Sequence, residues 1–227
     1  MASRESIYTI PINEIFEEPH SCPICHMRNV LEERCIDFIM GAAMMEPDIR
    51  METNEKGFCK THFDQMLKKK NRLSLALMLQ SRIKEVKKRV YDNSSKDAFK
   101  KSDEIMSDCY VCSRVNDAMD KMIDNCIVMF SKDREFRELF KKSEGLCIEH
   151  YSLLLKKAKA KLSKRDYADF FEASKELSYK AIETLEKDVD HFCSMFDYRN
   201  SGEDADWGNS RDSIERAIKF FKTREPK

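Results

Sequence analysis

Turn-forming residues are what this chain most lacks. Its 227 residues include five glycines and five prolines, and no proline lies between Pro47 and Pro226. A sheet protein with many tight turns, or a chain of βαβ units, would draw on both residues more heavily. Glycine occurs only at positions 41, 57, 145, 202 and 208, so neither a P-loop nor a dinucleotide-binding fingerprint can be present. There is no nucleophile elbow and no HExxH, and no other motif argues for an enzyme. Long apolar runs are also missing: none approaches the roughly 18 residues of a membrane span. The start, MASRESIYTIPINEIFEE, has neither the basic opening nor the apolar stretch of a secretion signal. Net charge is absent too. The 41 basic and 41 acidic residues cancel, at a pI near 6.9. Such a chain has no global field with which to gather nucleic acid or an anionic membrane. A cytoplasmic protein without membrane attachment is expected, with its nine cysteines mostly reduced.

What is present favours helix. Lys, Glu, Leu, Met and Ala dominate, and the expected fold is all-α. Between Asp64 and Tyr91, Leu75, Leu79, Ile83, Val86 and Val90 form one apolar stripe at helical spacing. Between Ser163 and Asn200, the series Tyr167, Phe170, Phe171, Leu177, Ala181, Leu185, Val189, Phe192 and Phe196 does the same. It predicts a C-terminal helix of more than about 30 residues, or about 45 Å. Shorter helices are expected after Cys25, after Asp117 and over Asp133 to Lys142. Two polar stretches, Asp92 to Glu104 and Arg199 to Ser210, read as linkers. SRDSIERAIKFF, beginning at Ser210, reads as a last helix that docks back.

The first linker separates two halves that repeat each other. Cys22-x-x-Cys25 and Gly57-Phe58-Cys59-Lys60-Thr61-His62 in one half match Cys109-x-x-Cys112 and Gly145-Leu146-Cys147-Ile148-Glu149-His150 in the other, across gaps of 33 and 34 residues. Ile36-Asp37 matches Ile123-Asp124, and Arg50 matches Arg137. After each histidine an aromatic, an apolar pair and two lysines recur, ending in Lys68 and Lys69 or Lys156 and Lys157. An internal duplication accounts for this agreement. It divides the chain into a first metal-binding half, 1–92, a second with the long helix, 93–198, and a linker with a final helix, 199–227.

The motif Ser21-Cys22-Pro23-Ile24-Cys25-His26 has three readings. CxxCH attaches c-type haem, but the second copy carries Ser113 where the histidine would stand. A redox dithiol wants a βαβ setting and leaves Cys59, His62, Cys147 and His150 without a role. A metal site uses all four residues in each copy. Zn²⁺ takes four thiolate and imidazole ligands in a tetrahedron, and Cys₃His is a standard structural set. CxxC brings two thiolates to one ion from a single turn. CxxH puts a thiolate and an imidazole on one face at the start of a helix, where the macrodipole favours the thiolate. Two zinc ions per chain are expected, with iron or an Fe–S cluster as the alternative. Ligands could cross between the halves. The simpler assignment groups Cys22, Cys25, Cys59 and His62 around one ion, and Cys109, Cys112, Cys147 and His150 around the other. Four ligands close each site, which favours a folding role over catalysis.

The remaining repeated residues have bland and functional readings side by side. Asp37 and Asp124 either accept from a ligand histidine, or pair with Arg50 and Arg137, or stand exposed. Lys68, Lys69, Lys156 and Lys157 form local basic clusters that could contact phosphate; solvated lysines near helix C-termini are equally reasonable. Cys35, Cys126 and Cys193 read as small core residues. His20 and His26 have no counterparts in the second copy and read as bystanders.

The stretch IYTIPINEIFEE-x-x-SCPIC, followed by MMEPDIR, GFCKTHF and NRLSLALML, resembles a family of uncharacterised proteins from anaerobic, largely clostridial bacteria, catalogued as a domain of unknown function. The resemblance covers most of the chain, and CPIC and GFCxxH are its most specific parts. It implies a bacterial origin and a shared helical fold, and it brings no activity. The expected function is that of a zinc-stabilised helical scaffold that engages another protein. A nucleic-acid binder and a thiol or Fe–S redox or metal sensor are the rivals.

Overall fold

The computed structural model describes residues 8–92, 97–197, 199 and 206–221. These fold into helices α1 (Thr9–Glu17), α2 (Pro23–Met40), α3 (Pro47–Lys56), α4 (Lys60–Lys68), α5 (Arg72–Val86), α6 (Ala98–Ser107), α7 (Tyr110–Lys132), α8 (Arg134–Lys142), α9 (Ile148–Lys161), α10 (Lys164–Ser194) and α11 (Ser213–Phe221). A 3₁₀ turn, Ala42–Met45, precedes α3, and α5 runs on into a π-helical turn, Lys87–Tyr91. No strand occurs among the described residues, and no described helix is long and apolar enough to cross a membrane. The all-α expectation holds.

Local chemistry sets the helix ends. Side chains of Asn71, Asp133 and Ser163 accept backbone N–H groups at the starts of α5, α8 and α10. Pro23 and Pro47 take the first position of α2 and α3, where a missing N–H costs nothing. Within the stretch from Asp64 to Tyr91 the helix is interrupted at Lys69–Asn71; Asn71 caps α5, which with the following π-helical turn carries the whole apolar stripe. Its stripe is also narrower than expected: Leu75 is buried and Ile83 is exposed. The linker expected over Asp92 to Glu104 becomes α6 from Ala98 onward, while residues 93–96 lie outside the described residues. Of the second linker, Arg199 to Ser210, residues 200–205 lie outside them.

The chain forms two compact units: Met1–Met27 together with Lys121–Lys227, and Arg28–Asp120. These are not the repeated halves, 1–92 and 93–198. Helix α2 gives its first turn to the first unit and the rest to the second, and α7 is divided in the opposite sense.

The first unit is built on phenylalanine. Phe16, Phe130, Phe136, Phe140 and Phe170 are each at most 4% exposed. Their rings meet edge-on, tilted or stacked, with centroids 4.9–6.4 Å apart. Each such side chain contributes about 1.5–3 kcal/mol by burial. The cluster fastens α1, α8 and α10 around the end of α7. Helix α10 spans 31 residues, as the periodicity predicted. Its main neighbours, α8, α9 and α11, all lie in the first unit. Its buried stripe is Phe170, Ala173, Ser174, Leu177 and Ser178, while Phe196 is exposed just beyond its end. Helix α11 docks on α9 and α10, with Arg216 paired to Asp188 at 2.8 Å.

The second unit is smaller and relies more on methionine and aliphatic side chains: Ile36, Ile39, Met44, Met66, Leu75, Met78 and Met119 are buried. Arg82, on α5, donates to the carbonyls of Asn54, Glu55 and Ile105, tying together α3, α5 and the end of α6.

Candidate metal centres

All four cysteine motifs stand at helix starts. Cys22 and Cys109 immediately precede α2 and α7, and their carbonyls accept the N–H groups of His26 and Ser113, at 3.1 and 3.0 Å. Cys59 and Cys147 are the N-caps of α4 and α9, and their carbonyls accept from Phe63 and Tyr151, at 3.0 and 2.9 Å. The second ligand of each motif therefore lies one turn into a helix, on the face of the first. Each N-terminus adds a positive field that favours thiolate.

The eight residues converge in two groups, and the pairing crosses the halves. Cys22, Cys25, Cys147 and His150 meet in the first unit; Cys59, His62, Cys109 and Cys112 meet in the second. The half-by-half assignment, Cys22, Cys25, Cys59 and His62 against Cys109, Cys112, Cys147 and His150, is corrected accordingly. Each CxxC faces the CxxH of the other copy.

Their spacing suits a tetrahedral ion. With Zn–S near 2.3 Å and Zn–N of about 2.0–2.1 Å, tetrahedral donors stand about 3.8 Å apart sulfur to sulfur and about 3.6 Å sulfur to nitrogen. In the first centre the Cys25 and Cys147 sulfurs are 3.7 Å apart, and His150 Nδ1 lies 3.6, 3.2 and 3.1 Å from Cys22, Cys25 and Cys147. In the second the Cys59 and Cys112 sulfurs are 3.9 Å apart, and His62 Nδ1 lies 3.1, 3.3 and 3.5 Å from Cys59, Cys109 and Cys112. Both histidines turn Nδ1 inward.

The two glycines that precede these motifs do different work. Gly57 ends α3 at φ 67°, a left-handed conformation that L side chains rarely adopt, and its carbonyl accepts the N–H of Tyr110, beside Cys109. Gly145 serves close approach instead: a Cβ there would lie 2.7 Å from Ala181 Cβ and 3.2 Å from the Ser21 carbonyl, next to Cys22. Each glycine lets its loop lie against the opposing knuckle.

Sulfurs at this density cannot all ionise without a cation among them. Contact with Cys22 pushes the Cys147 thiol up to about 12, and contact with Cys147 raises Cys25 further. Cys22, which accepts from both, is lowered. Burial raises Cys109 and pushes Cys112 up to about 12. Burial also lowers His62 and so leaves its imidazole neutral, as a ligand requires.

The outer faces differ. His62 Nε2 lies 3.9 Å from Glu32 Oε1. Glu32 in turn is held by Arg28 at 3.6 Å and Gln65 at 3.4 Å, and Arg28 donates to Asn116 at 3.0 Å. Like His62 Nε2, His150 Nε2 is buried with no hydrogen-bond partner. Sequence reasoning missed Glu32 because the repeat gives it no acidic counterpart: Met119 occupies the matching position.

The other repeated residues settle away from both ion positions. Asp37 pairs with Lys69 at 2.7 Å, and Asp124 with Lys157 and Lys161, both at 3.1 Å. Neither expected partner, ligand histidine or arginine, is engaged. Arg50 donates to the Leu77 carbonyl and Ser81, and Arg137 to the carbonyls of Phe130 and Ser131. Lys68 and Lys156 are exposed. Cys126 is buried as expected, burial raising its thiol; Cys35 is half-buried, and Cys193 is exposed. His20 and His26, read as bystanders, lie ring on ring with centroids 3.6 Å apart.

Over residues 3–227 the chain matches, and belongs to, a family of unknown function (DUF6062). Neither a curated protein nor a solved structure matches it.

Proposed function

We propose that this member of a family without assigned activity is a zinc-stabilised helical scaffold whose two Cys₃His centres are structural and whose work is binding another protein. The observation that carries the reading is the closed donor set: four residues converge at each centre at spacings that suit Zn²⁺. With three thiolates the ion is a weak Lewis acid and keeps no position open for substrate. What it supplies is folding energy, on the order of 10 kcal/mol of apparent binding free energy per ion. Cys22, Cys25, Cys147 and His150 would hold one ion, and Cys59, His62, Cys109 and Cys112 the other.

A protein partner is favoured over nucleic acid by what the surface offers. Lys69 and Lys157 are engaged by Asp37 and Asp124, which blunts both expected basic clusters. By contrast Phe38, Met51, Leu73, Tyr91, Phe99 and Met106 stand exposed in the second unit. These side chains give a protein partner apolar surface to cover, which a nucleic acid would not use.

Elemental analysis of anaerobically purified protein tests the metal assignment. Two zinc per chain are expected. Iron with sulfide would overturn zinc and make electron transfer or sensing the function. A salt-dependent shift with DNA or RNA, lost on replacing Lys68, Lys69, Lys156 and Lys157, would overturn the choice of partner.

A further inference from the structure

The loop between α1 and α2 gathers three donors that belong to neither cysteine centre. Glu18, His20 and His26 each place one ligand-type atom within 4.8 Å of the others. His20 Nε2 and Glu18 Oε2 are 3.5 Å apart, already the donor spacing of a tetrahedral site with bonds of about 2.1 Å. That same nitrogen is shielded from solvent and makes no hydrogen bond. A shielded nitrogen without a hydrogen bond is unfavourable, and a cation between it and the Glu18 carboxylate would satisfy both. Pro19 restricts the backbone ahead of His20, and the first turn of α2 holds His26, so two of the three donors sit on constrained backbone.

We infer that Glu18, His20 and His26 form a third metal site, one that takes an exchangeable divalent d-block ion such as Zn²⁺, Ni²⁺ or Co²⁺. Two imidazoles and a carboxylate are the donor set these ions accept without thiolate. The site differs in kind from the two cysteine centres. It has three protein donors rather than four, so at least one coordination position stays open to water or to a group from a partner. The Glu18 side chain is 70% exposed, which gives the ion a route in and out. Ion binding takes rotation of side chains: the His20 and His26 rings, stacked with centroids 3.6 Å apart, turn their nitrogen edges toward the ion, and the exposed Glu18 carboxylate closes on it.

The duplication provides a built-in control. At the positions matching His20 and His26, the second copy carries Ser107 and Ser113, and its knuckle folds with those serines in place. The double variant His20→Ser, His26→Ser therefore makes the first knuckle resemble the second without touching a cysteine.

The test is equilibrium dialysis of the full chain, its cysteine centres loaded with Zn²⁺, against Ni²⁺. Wild type should take up one nickel per chain beyond its zinc. The double variant should lose that nickel, with unchanged zinc content and an unchanged unfolding curve. Glu18→Gln, which lies outside the knuckle, should weaken nickel binding about tenfold. It also decides the matter if the double variant loses zinc. Nickel uptake that is equal in wild type and Glu18→Gln would mark an adventitious surface ion and overturn the site, as would a wild type that binds none. Because the readout is nickel rather than zinc, failure here is distinguishable from failure of the structural-zinc reading.

Discussion

The two Cys₃His centres share a donor set and the same helix-start geometry, yet their surroundings differ. The centre of the first unit is the drier one. Cys22, Cys147 and His150 are at most 4% exposed. The centre of the second unit has a polar outer face, with Glu32 opposite His62 and with Arg28, Gln65 and Asn116 behind it. Duplication copied the ligands, whose chemistry the ion dictates, and left the outer residues free to diverge. The difference teaches that one motif can set two sites in unequal surroundings: Glu32 stands 3.9 Å from His62 Nε2, where a small closing movement would let it orient the ring.

The largest effect tests the shared plan. Cys22→Ser with Cys147→Ser should cost one of two zinc ions, because both cysteines serve one centre, whereas Cys22→Ser with Cys59→Ser should cost both. Pairing within the sequence halves would reverse these counts, and zinc analysis distinguishes the two directly. Each lost ion should destabilise by several kcal/mol, given binding on the order of 10 kcal/mol.

Proton competition comes next. Metal binding displaces protons from Cys147 and Cys112, both pushed up to about 12 in the free thiols, so zinc should be released as pH falls. Chelator-stripped protein should behave in the opposite sense. A cysteine whose folded pKa is raised keeps its proton when the unfolded chain has lost it. Its stability contribution is therefore complete below about pH 8.5 and is lost as pH rises toward 12. Urea melts of the stripped protein across that window read the slope; a flat profile would show that the thiols are not crowded.

Glu32→Gln sharpens the comparison itself. It should weaken the second centre about tenfold and leave the first unchanged, as read by stepwise removal with a chelator. Equal loss from both centres, or from neither, would make Glu32 a bystander. Smallest of all, Asp124→Asn and Asp37→Asn should each cost below about 1 kcal/mol in thermal unfolding, since the pairs are partly solvated. Asp124 should cost more, because it bridges two lysines.

Much of this was legible from residue spacing. CxxC and CxxH are contained in single helical turns, so the eight candidate ligands could be named before any fold was known. Helix α10 was legible because its stripe repeats over many turns. Failures came where distant segments decide. Cys193 has a core-like sequence neighbourhood, yet the structure leaves it exposed. Asp37 and Asp124 chose lysines over arginines because α4 and α9 carry Lys69 and Lys157 to them, while Arg50 and Arg137 turn to backbone carbonyls.

By itself the sequence determined a helical chain with two sets of four metal-ligand residues, since helix periodicity and knuckle spacing are local properties read within a few turns. Only the tertiary structure decided which knuckle faces which histidine. Between CxxC and CxxH lie 33 or 34 residues, most of them in helices whose ends the local pattern does not aim. Packing of those helices into two units that each combine both halves sets the exchange, and burial of the surrounding side chains sets how the two centres differ.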